Sequence, residues 1–251
     1  EAGRRADRRR ARRRACGRDG HGARDQLAAR PPRHARFACS VGGGRGVWLY
    51  DAQNLEAEPQ LLETPYIQHL AFSGDSRFIA GAARNRLYVW DASELSSELT
   101  FVMTAPQDYH VTDLAFNANG THVAASFRIT DSQEQGGYVI WQFDSDEGST
   151  LKITDAMVRV VEFSPVDPGL LAVGYEPAKA ELIRINNQAV SPLTLSANNI
   201  VGARSVIALD FSPDGSQLVG GYGGYGLVWD AQTGEALHEF EINYYDSGGD
   251  P

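Results

Sequence analysis

The string Gly221-Tyr222-Gly223-Gly224-Tyr225-Gly226 fits G-x-G-x-x-G, the spacing with which backbone amides can cradle a dinucleotide pyrophosphate. That chemistry requires the glycines to lie between a strand and the N-terminus of a helix, where amide hydrogens converge on phosphate. Here the strand-like run Leu227 to Trp229 follows instead, so the glycines read as a hairpin that needs positive φ. Gly42-Gly43-Gly44-Arg45-Gly46 precedes a similar apolar run and takes the same reading. His110, Asp113 and His122 come nearest to a metal-ligand set among six scattered histidines. Their strand phases do not converge, and solvated loop positions account for them better. Asp144, Asp146 and Glu147 form an acid run of the solvated loop type. No nucleophile elbow, phosphate loop or paired-carboxylate arrangement can be argued. The expectation is a non-enzyme, with no catalytic, metal or cofactor residue.

The elements that would position any binding residue come from a repeat. Leu70-Ala71-Phe72-Ser73-Gly74-Asp75, Leu114-Ala115-Phe116-Asn117-Ala118-Asn119-Gly120, Val161-Glu162-Phe163-Ser164-Pro165-Val166-Asp167 and Leu209-Asp210-Phe211-Ser212-Pro213-Asp214-Gly215 fall in register. The anchors Phe72, Phe116, Phe163 and Phe211 are 44, 47 and 48 residues apart, at or just above the period of a four-stranded propeller blade. A second half recurs at Val47-Trp48-Leu49-Tyr50-Asp51, Leu87-Tyr88-Val89-Trp90-Asp91, Tyr138-Val139-Ile140-Trp141-Gln142, Leu182-Ile183-Arg184-Ile185-Asn186 and Gly226-Leu227-Val228-Trp229-Asp230. Alternating apolar and polar residues, with Gly, Asp and Asn at the joints, predict antiparallel meanders. First strands are expected at Ile67 to Phe72, Val111 to Phe116, Val158 to Phe163 and Val206 to Phe211, and second strands at Arg77 to Gly81, Thr121 to Phe127, Leu170 to Tyr175 and Gln217 to Gly221. A single blade cannot cover both of its apolar faces, so blades must stack, and the four Phe anchors with Trp90, Trp141 and Trp229 are expected in the core.

On these motifs the chain resembles the WD-repeat family, with the name-giving pair intact at Trp90-Asp91 and Trp229-Asp230 and blurred at Tyr50-Asp51, Trp141-Gln142 and Ile185-Asn186. The resemblance covers about Phe37 to Asn243 and implies an all-β propeller of about five four-stranded blades. It also implies a divergent member. The Gly-His dipeptide of the family is absent, with Tyr109-His110 as the nearest substitute; Ala82 and Tyr222 replace the small hydroxyl of the second strand, and Asn85 replaces a turn Asp. The first copy lacks its first strand, which leaves an open edge of the kind that recruits another chain. A fragment of a longer protein is the favoured explanation. Blades supplied by a partner or a second copy, and a small five-bladed ring, are the alternatives.

Charge divides the chain. Residues 1–36 carry 13 Arg against Glu1, Asp7, Asp19 and Asp25, a net of +9, while the total is −9, so the remainder holds −18. The arm has Leu27 as its one large aliphatic and is expected to be disordered. Three readings of it stand: a nucleic-acid tether or import tag using Arg8-Arg9-Arg10 and Arg12-Arg13-Arg14, a mitochondrial presequence, or a non-native segment, the last being favoured. The propeller is expected over 37–245 and a disordered tail over 246–251. Cys16 and Cys39 form no disulfide framework, which suits a reducing compartment, cytoplasmic or nuclear. No apolar run approaches the roughly 18 residues of a membrane helix. Asn119-Gly120-Thr121 reads as a turn in preference to a glycosylation site.

In the resembled family, the loops joining second to third strands, and fourth strands to the next blade, gather on one rim that docks peptides. The corresponding residues are Arg45, Tyr66, Arg84, Arg86, Tyr109, His110, Arg128, Lys179, Arg204, Tyr222 and Tyr225. Aromatics and arginines supply most interface hot spots, and the basic bias favours an acidic or phosphorylated peptide. The implied role is a protein-interaction scaffold within a larger assembly, with no membrane partner. A sensing module of a longer kinase, nucleotide-switch or hydrolase chain, and a chromatin or nucleic-acid protein using the arm, are the rivals.

Overall fold

The computed structural model describes residues 36–40, 46–51, 54, 56–64, 67–75, 77–92, 101–106, 108–130, 135–143, 149–185, 193–194, 205–222 and 224–241. Among them every regular element is a strand. The chain divides into two compact units, Glu1–Pro106 and Gln107–Pro251.

In the first unit, β1 (Arg36–Ser40), β2 (Val47–Asp51) and β3 (Gln60–Leu62) form a three-stranded antiparallel sheet. β4 (His69–Phe72), β5 (Phe78–Ala83), β6 (Arg86–Asp91) and β7 (Phe101–Thr104) form a four-stranded meander. Val47, Leu49 and Leu62 of the first sheet share a buried cluster with Leu70, Ile79, Tyr88 and Trp90 of the second. Period-two alternation is what makes this possible, because it sends every other side chain of β2 toward its neighbour. The first copy thus contributes three strands, as its missing first segment implies.

The second unit holds three four-stranded meanders: β8 (Tyr109–Phe116), β9 (His122–Ile129), β10 (Gly136–Gln142) and β11 (Ser149–Thr154); β12 (Met157–Phe163), β13 (Leu170–Glu176), β14 (Lys179–Arg184) and β15 (Leu193–Thr194); β16 (Val206–Phe211), β17 (Gln217–Tyr222), β18 (Tyr225–Asp230) and β19 (Ala236–Glu241). Ala115, Ala124, Tyr138 and Ile140 of the first of these meet Val161, Phe163, Leu171 and Val173 of the second. Val160, Ala172, Ala180 and Leu182 of the second meet Leu209, Phe211, Leu218, Leu227 and Trp229 of the third. Within this unit the sheet β12–β15 therefore gives one face to the preceding sheet and the other to the following one.

Trp90 and Trp229 are fully buried, and glycine makes room for them. A Cβ on Gly81 would stand 2.9 Å from Trp90 Cζ3, and one on Gly220 2.7 Å from Trp229 Cζ3. Register places Ile183, and not Ile185 as the sequence alignment has it, at the tryptophan position of β14, and the second-strand residue matching Gly81 there is Val173. Side-chain volume is conserved across the pair, as close packing demands. Two of the four Phe anchors differ from expectation. Phe163 and Phe211 are buried, but Phe72 and Phe116 are half-buried. Phe72 packs at the margin of the cluster shared with β1–β3, and Phe116 rests edge-on against Phe143 at 5.9 Å.

Candidate interaction loops

At one end of each four-stranded sheet a hairpin joins the first strand to the second, and a repeated side-chain network closes it. Ser73 Oγ accepts from the Phe78 N–H at 2.9 Å, Asn117 Oδ1 from the His122 N–H at 2.9 Å, and Ser212 Oγ from the Gln217 N–H at 2.9 Å. In the remaining sheet Ser164 Oγ accepts from the Asp167 N–H at 3.2 Å. Asn119, the residue of the sequon, holds the Thr121 hydroxyl at 2.7 Å, and Gly120 supplies a φ of 70°, so the turn explains these residues.

The opposite end carries the candidate binding residues. In the first unit, Arg84 and Arg86 are exposed on the β5–β6 hairpin. Arg84 adopts a left-handed φ of 52°, and its N–H donates to Gln68 Oε1 at 3.2 Å. Asn85 Nδ2 donates to the Ala105 carbonyl at 2.7 Å, tying the turn to the strand end beyond β7. In the second unit, His110 stands opposite Arg128 across β8 and β9, and Tyr222 opposite Tyr225 across β17 and β18. His110 is half-buried, Arg128 exposed and Tyr225 partly buried. Arg45, Tyr66 and Arg204 lie outside the described residues, as do the arm through residue 35 and the tail from residue 242.

Tyr109 and Tyr222 belong to the interior. Tyr109 is 8% exposed and stacks on Phe127 at 4.5 Å, while Tyr222 is 1% exposed and lies edge-on to Trp229 at 5.8 Å. The phase of β17 is responsible, since Leu218, Gly220 and Tyr222 alternate on the buried face. The Tyr222 hydroxyl is buried without a hydrogen-bond partner, and so is Trp90 Nε1. Burial raises the Tyr222 phenol well above its ordinary value.

The basic side chains fall into two groups. Arg77 is held by Asp91 at 3.2 Å, Arg184 by Asp167 at 2.6 Å and Lys179 by Glu181 at 2.5 Å, and Arg159 pairs with Glu176. Among the described residues, Arg84, Arg86, Arg128 and Lys152 enter no ion pair. His110 and His122 sit at opposite ends of their sheet, opposite Arg128 and Gln142 respectively, and with Asp113 they make no metal-ligand group.

Three carboxylates on consecutive first strands, Asp113, Glu162 and Asp210, form a set that the sequence reading did not bring together, since it weighed Asp113 only beside His110 and His122. Asp113 accepts from the Val161 N–H of the neighbouring sheet at 3.2 Å, and burial lifts its carboxyl to about 6. Glu162 is lifted further, to about 8, first by burial and then by the negative charges of Asp113 and Asp210. The signal was present: Glu162 and Asp210 each immediately precede a Phe anchor, and alternation sends them to the face opposite that anchor.

The family model described as "WD domain, G-beta repeat" matches residues 194–230, the stretch that ends on the Trp229-Asp230 pair. The chain carries a WD repeat. Among solved structures, a chain of the "Crystal Structure of Mitotic Checkpoint Complex" superposes with a TM-score of 0.65 at 16% identity, covering 83% of this chain. This chain spans 61% of that one. At that identity the likeness shows fold alone, and 1198 solved chains share such a match, so it selects no particular activity. A search of the curated proteins returned no match. The fold is that of a WD-repeat β-propeller, all-β among the described residues and built of antiparallel sheets, four of four strands and one of three.

Proposed function

We propose that this WD-repeat chain is a non-catalytic interaction module whose hairpin loops receive an acidic peptide segment of a partner protein within a larger assembly. The observation that carries the reading is the separation of basic side chains. Arg84, Arg86 and Arg128 are exposed at the loop ends of their sheets with no carboxylate partner among the described residues, whereas Arg77, Arg159, Lys179 and Arg184 are each neutralised. Unpaired guanidinium groups recognise carboxylate and phosphate through parallel hydrogen bonds. Tyr225 adds a partly exposed aromatic beside Gly224, whose surroundings are open.

The test is fluorescence anisotropy with peptides rich in Asp, Glu or phosphoserine, and neutral peptides of equal length as controls. Acidic peptides should bind more tightly, and the preference should shrink as salt rises. Arg84→Ala with Arg86→Ala, and Arg128→Ala separately, identify which unit supplies the contact. Equal binding of acidic and neutral peptides, or binding indifferent to both sets of substitutions, refutes the proposal.

A further inference from the structure

The strands that end the sheets are of unequal kind. Among the described residues β3 has three, β7 four and β15 two, while β11 and β19 have six each. Length matters because the free side of a terminal strand is a row of N–H and C=O groups able to pair with another chain. β19 carries Glu239 and Glu241, and its pairing with β18 shifts register between Val228 and Trp229. Charges and bulges of this kind blunt an edge. β11 lies in mid-chain, between β10 and β12, and its pairing is regular: Gly136 to Trp141 match Thr154 to Ser149 one for one. It contains neither proline nor a carboxylate, and five of its six residues are exposed. Among the described residues its backbone bonds to β10 alone.

The pleat sorts the side chains of β11 onto two faces. Leu151 and Ile153 continue the face of Val139 and Gly137 on β10, whereas Thr150, Lys152 and Thr154 continue the face of Ile140, Tyr138 and Gly136. Val139 is 5% exposed, but Leu151 is 46% and Ile153 48% exposed. The apolar face of this sheet thus runs out to its last strand and stops there in water. A strand laid beside β11 would extend it. On the other face Lys152 is exposed and enters no ion pair among the described residues.

These features specify an occupant. The outward backbone groups require an extended chain, Leu151 and Ile153 require aliphatic side chains on one of its faces, and Lys152 requires a carboxylate on the other. A second copy of β11 meets the first two requirements and fails the third. The antiparallel register that sets Leu151 against Ile153 of the other copy also sets Lys152 against Lys152, and like charges directly opposite each other are destabilising. We propose that β11 is a strand-addition site for an extended segment of a partner protein in which aliphatic residues alternate with Asp or Glu. Main-chain hydrogen bonds supply affinity in such a contact, and the alternating side chains supply selectivity. The site is separate from the arginine hairpins, because it reads alternation as well as charge.

Fluorescence anisotropy of the full chain with short labelled peptides tests this. A peptide alternating Val and Glu should bind. The same residues with all Val together, and the alternating peptide N-methylated at every backbone amide, should each bind several-fold more weakly, since the one loses the pleat and the other its donors. Hydrogen exchange should slow over Ser149–Thr154 on binding and stay unchanged at the hairpins of Arg84, Arg86 and Arg128. Lys152→Glu should lose several-fold in affinity for the Val–Glu peptide and gain it for a Val–Lys peptide, while Arg128→Ala binds as wild type. Circular dichroism confirms that the variants are folded, and Lys152→Gln, which should abolish the preference for Glu over Lys, replaces Lys152→Glu if the latter unfolds. Absence of binding by the alternating peptide, equal binding of its N-methylated form, protection confined to the hairpins, or an unchanged charge preference in the Lys152 variant overturns the proposal. So does a concentration-dependent mass in sedimentation velocity that Ile153→Lys abolishes, because the occupant is then a second copy.

Discussion

The two ends of β16–β19 use similar residues to opposite effect. At the turn end, Ser212 Oγ accepts from Gln217 and donates to Asp214 Oδ1 at 2.6 Å, and the same oxygen accepts from Ser216 N–H and Oγ at 3.1 and 2.8 Å. These bonds hold the Asp214 carboxyl down at about 2. Asp230 caps the next turn, accepting from the Gln232 and Thr233 N–H groups at 2.8 Å each. At the loop end, by contrast, Gly224 turns at a φ of 106° with nothing near its Cβ position, and Tyr225 is partly exposed. The regular part of the repeat is thus the part whose polar groups satisfy one another. The proposed binding end is where they do not, and the repeat is least regular there.

The largest effect separates two tyrosines that the sequence treats alike. Tyr222→Ala removes a buried ring from the Trp229 cluster and should cost about 3 to 5 kcal/mol, close to Trp229→Ala. Tyr225→Ala should cost far less. Urea melts of the three variants decide this, and similar midpoints for the two tyrosine variants would show that Tyr222 is not a core residue. Gly220→Val should behave like the tryptophan deletion, since its branches would enter the Trp229 ring.

A smaller effect comes from Glu162, which lies within the covered part of the second unit. Its carboxyl binds a proton up to about pH 8 in the folded chain but only up to about 4.5 when unfolded, so the native state holds more protons between those values. Stability should therefore decline as pH rises from about 4.5 to 8 and level off above. Asp113 contributes in the same direction below about 6. The facing groups, Asp113 on β8 and Asp210 on β16, are both acidic, so neither offsets the cost. Glu162→Gln should flatten the profile and add about 1 to 3 kcal/mol at pH 8. An unchanged profile would mean that Glu162 is solvated.

Ser73→Ala probes the turn end itself. Ser73 is 1% exposed, donates to Asp75 Oδ1 at 2.5 Å and accepts from Phe78. Its loss should cost about 1 to 2 kcal/mol, because the Phe78 N–H loses its side-chain acceptor. Peptide binding should not change. A binding defect at full stability would erase the distinction between the two ends.

The fold was legible because Phe and Trp recur at fixed spacing with Asp or Asn turns between them, and these are the residues that fill the sheet interfaces. Tyr222 was misjudged because flanking glycines suggest an exposed loop, although its phase with Leu218 and Gly220 points inward. Tyr109 was harder. A bulge between Val111 and Asp113 shifts the alternation of β8, and nothing local in the sequence announces it. The carboxylate on Glu162 could have been found from its place before Phe163, but its raised proton affinity depends on the neighbouring sheets, which spacing alone does not supply. Arg84, Arg86 and Arg128 lie on exposed loop ends, as their hairpin positions in the repeat imply.

Those arginines give the smallest expected change in stability and the sharpest separation of the two ends. Arg128→Ala removes an exposed side chain that holds no carboxylate among the described residues, so its cost should stay within about 0.5 kcal/mol. Arg184→Ala is the matched control, because Arg184 is also partly exposed but is held by Asp167 at 2.6 Å. An exposed ion pair contributes about 0 to 1 kcal/mol, so the two variants should melt within about a kcal/mol of each other. Their affinities for an acidic peptide should diverge, with Arg128→Ala weakened and Arg184→Ala unchanged, since only the first guanidinium is available to an incoming carboxylate. If both variants bind as wild type while the Arg84→Ala, Arg86→Ala pair fails, the contact belongs to the first unit and the loop end of β8–β11 is solvated surface.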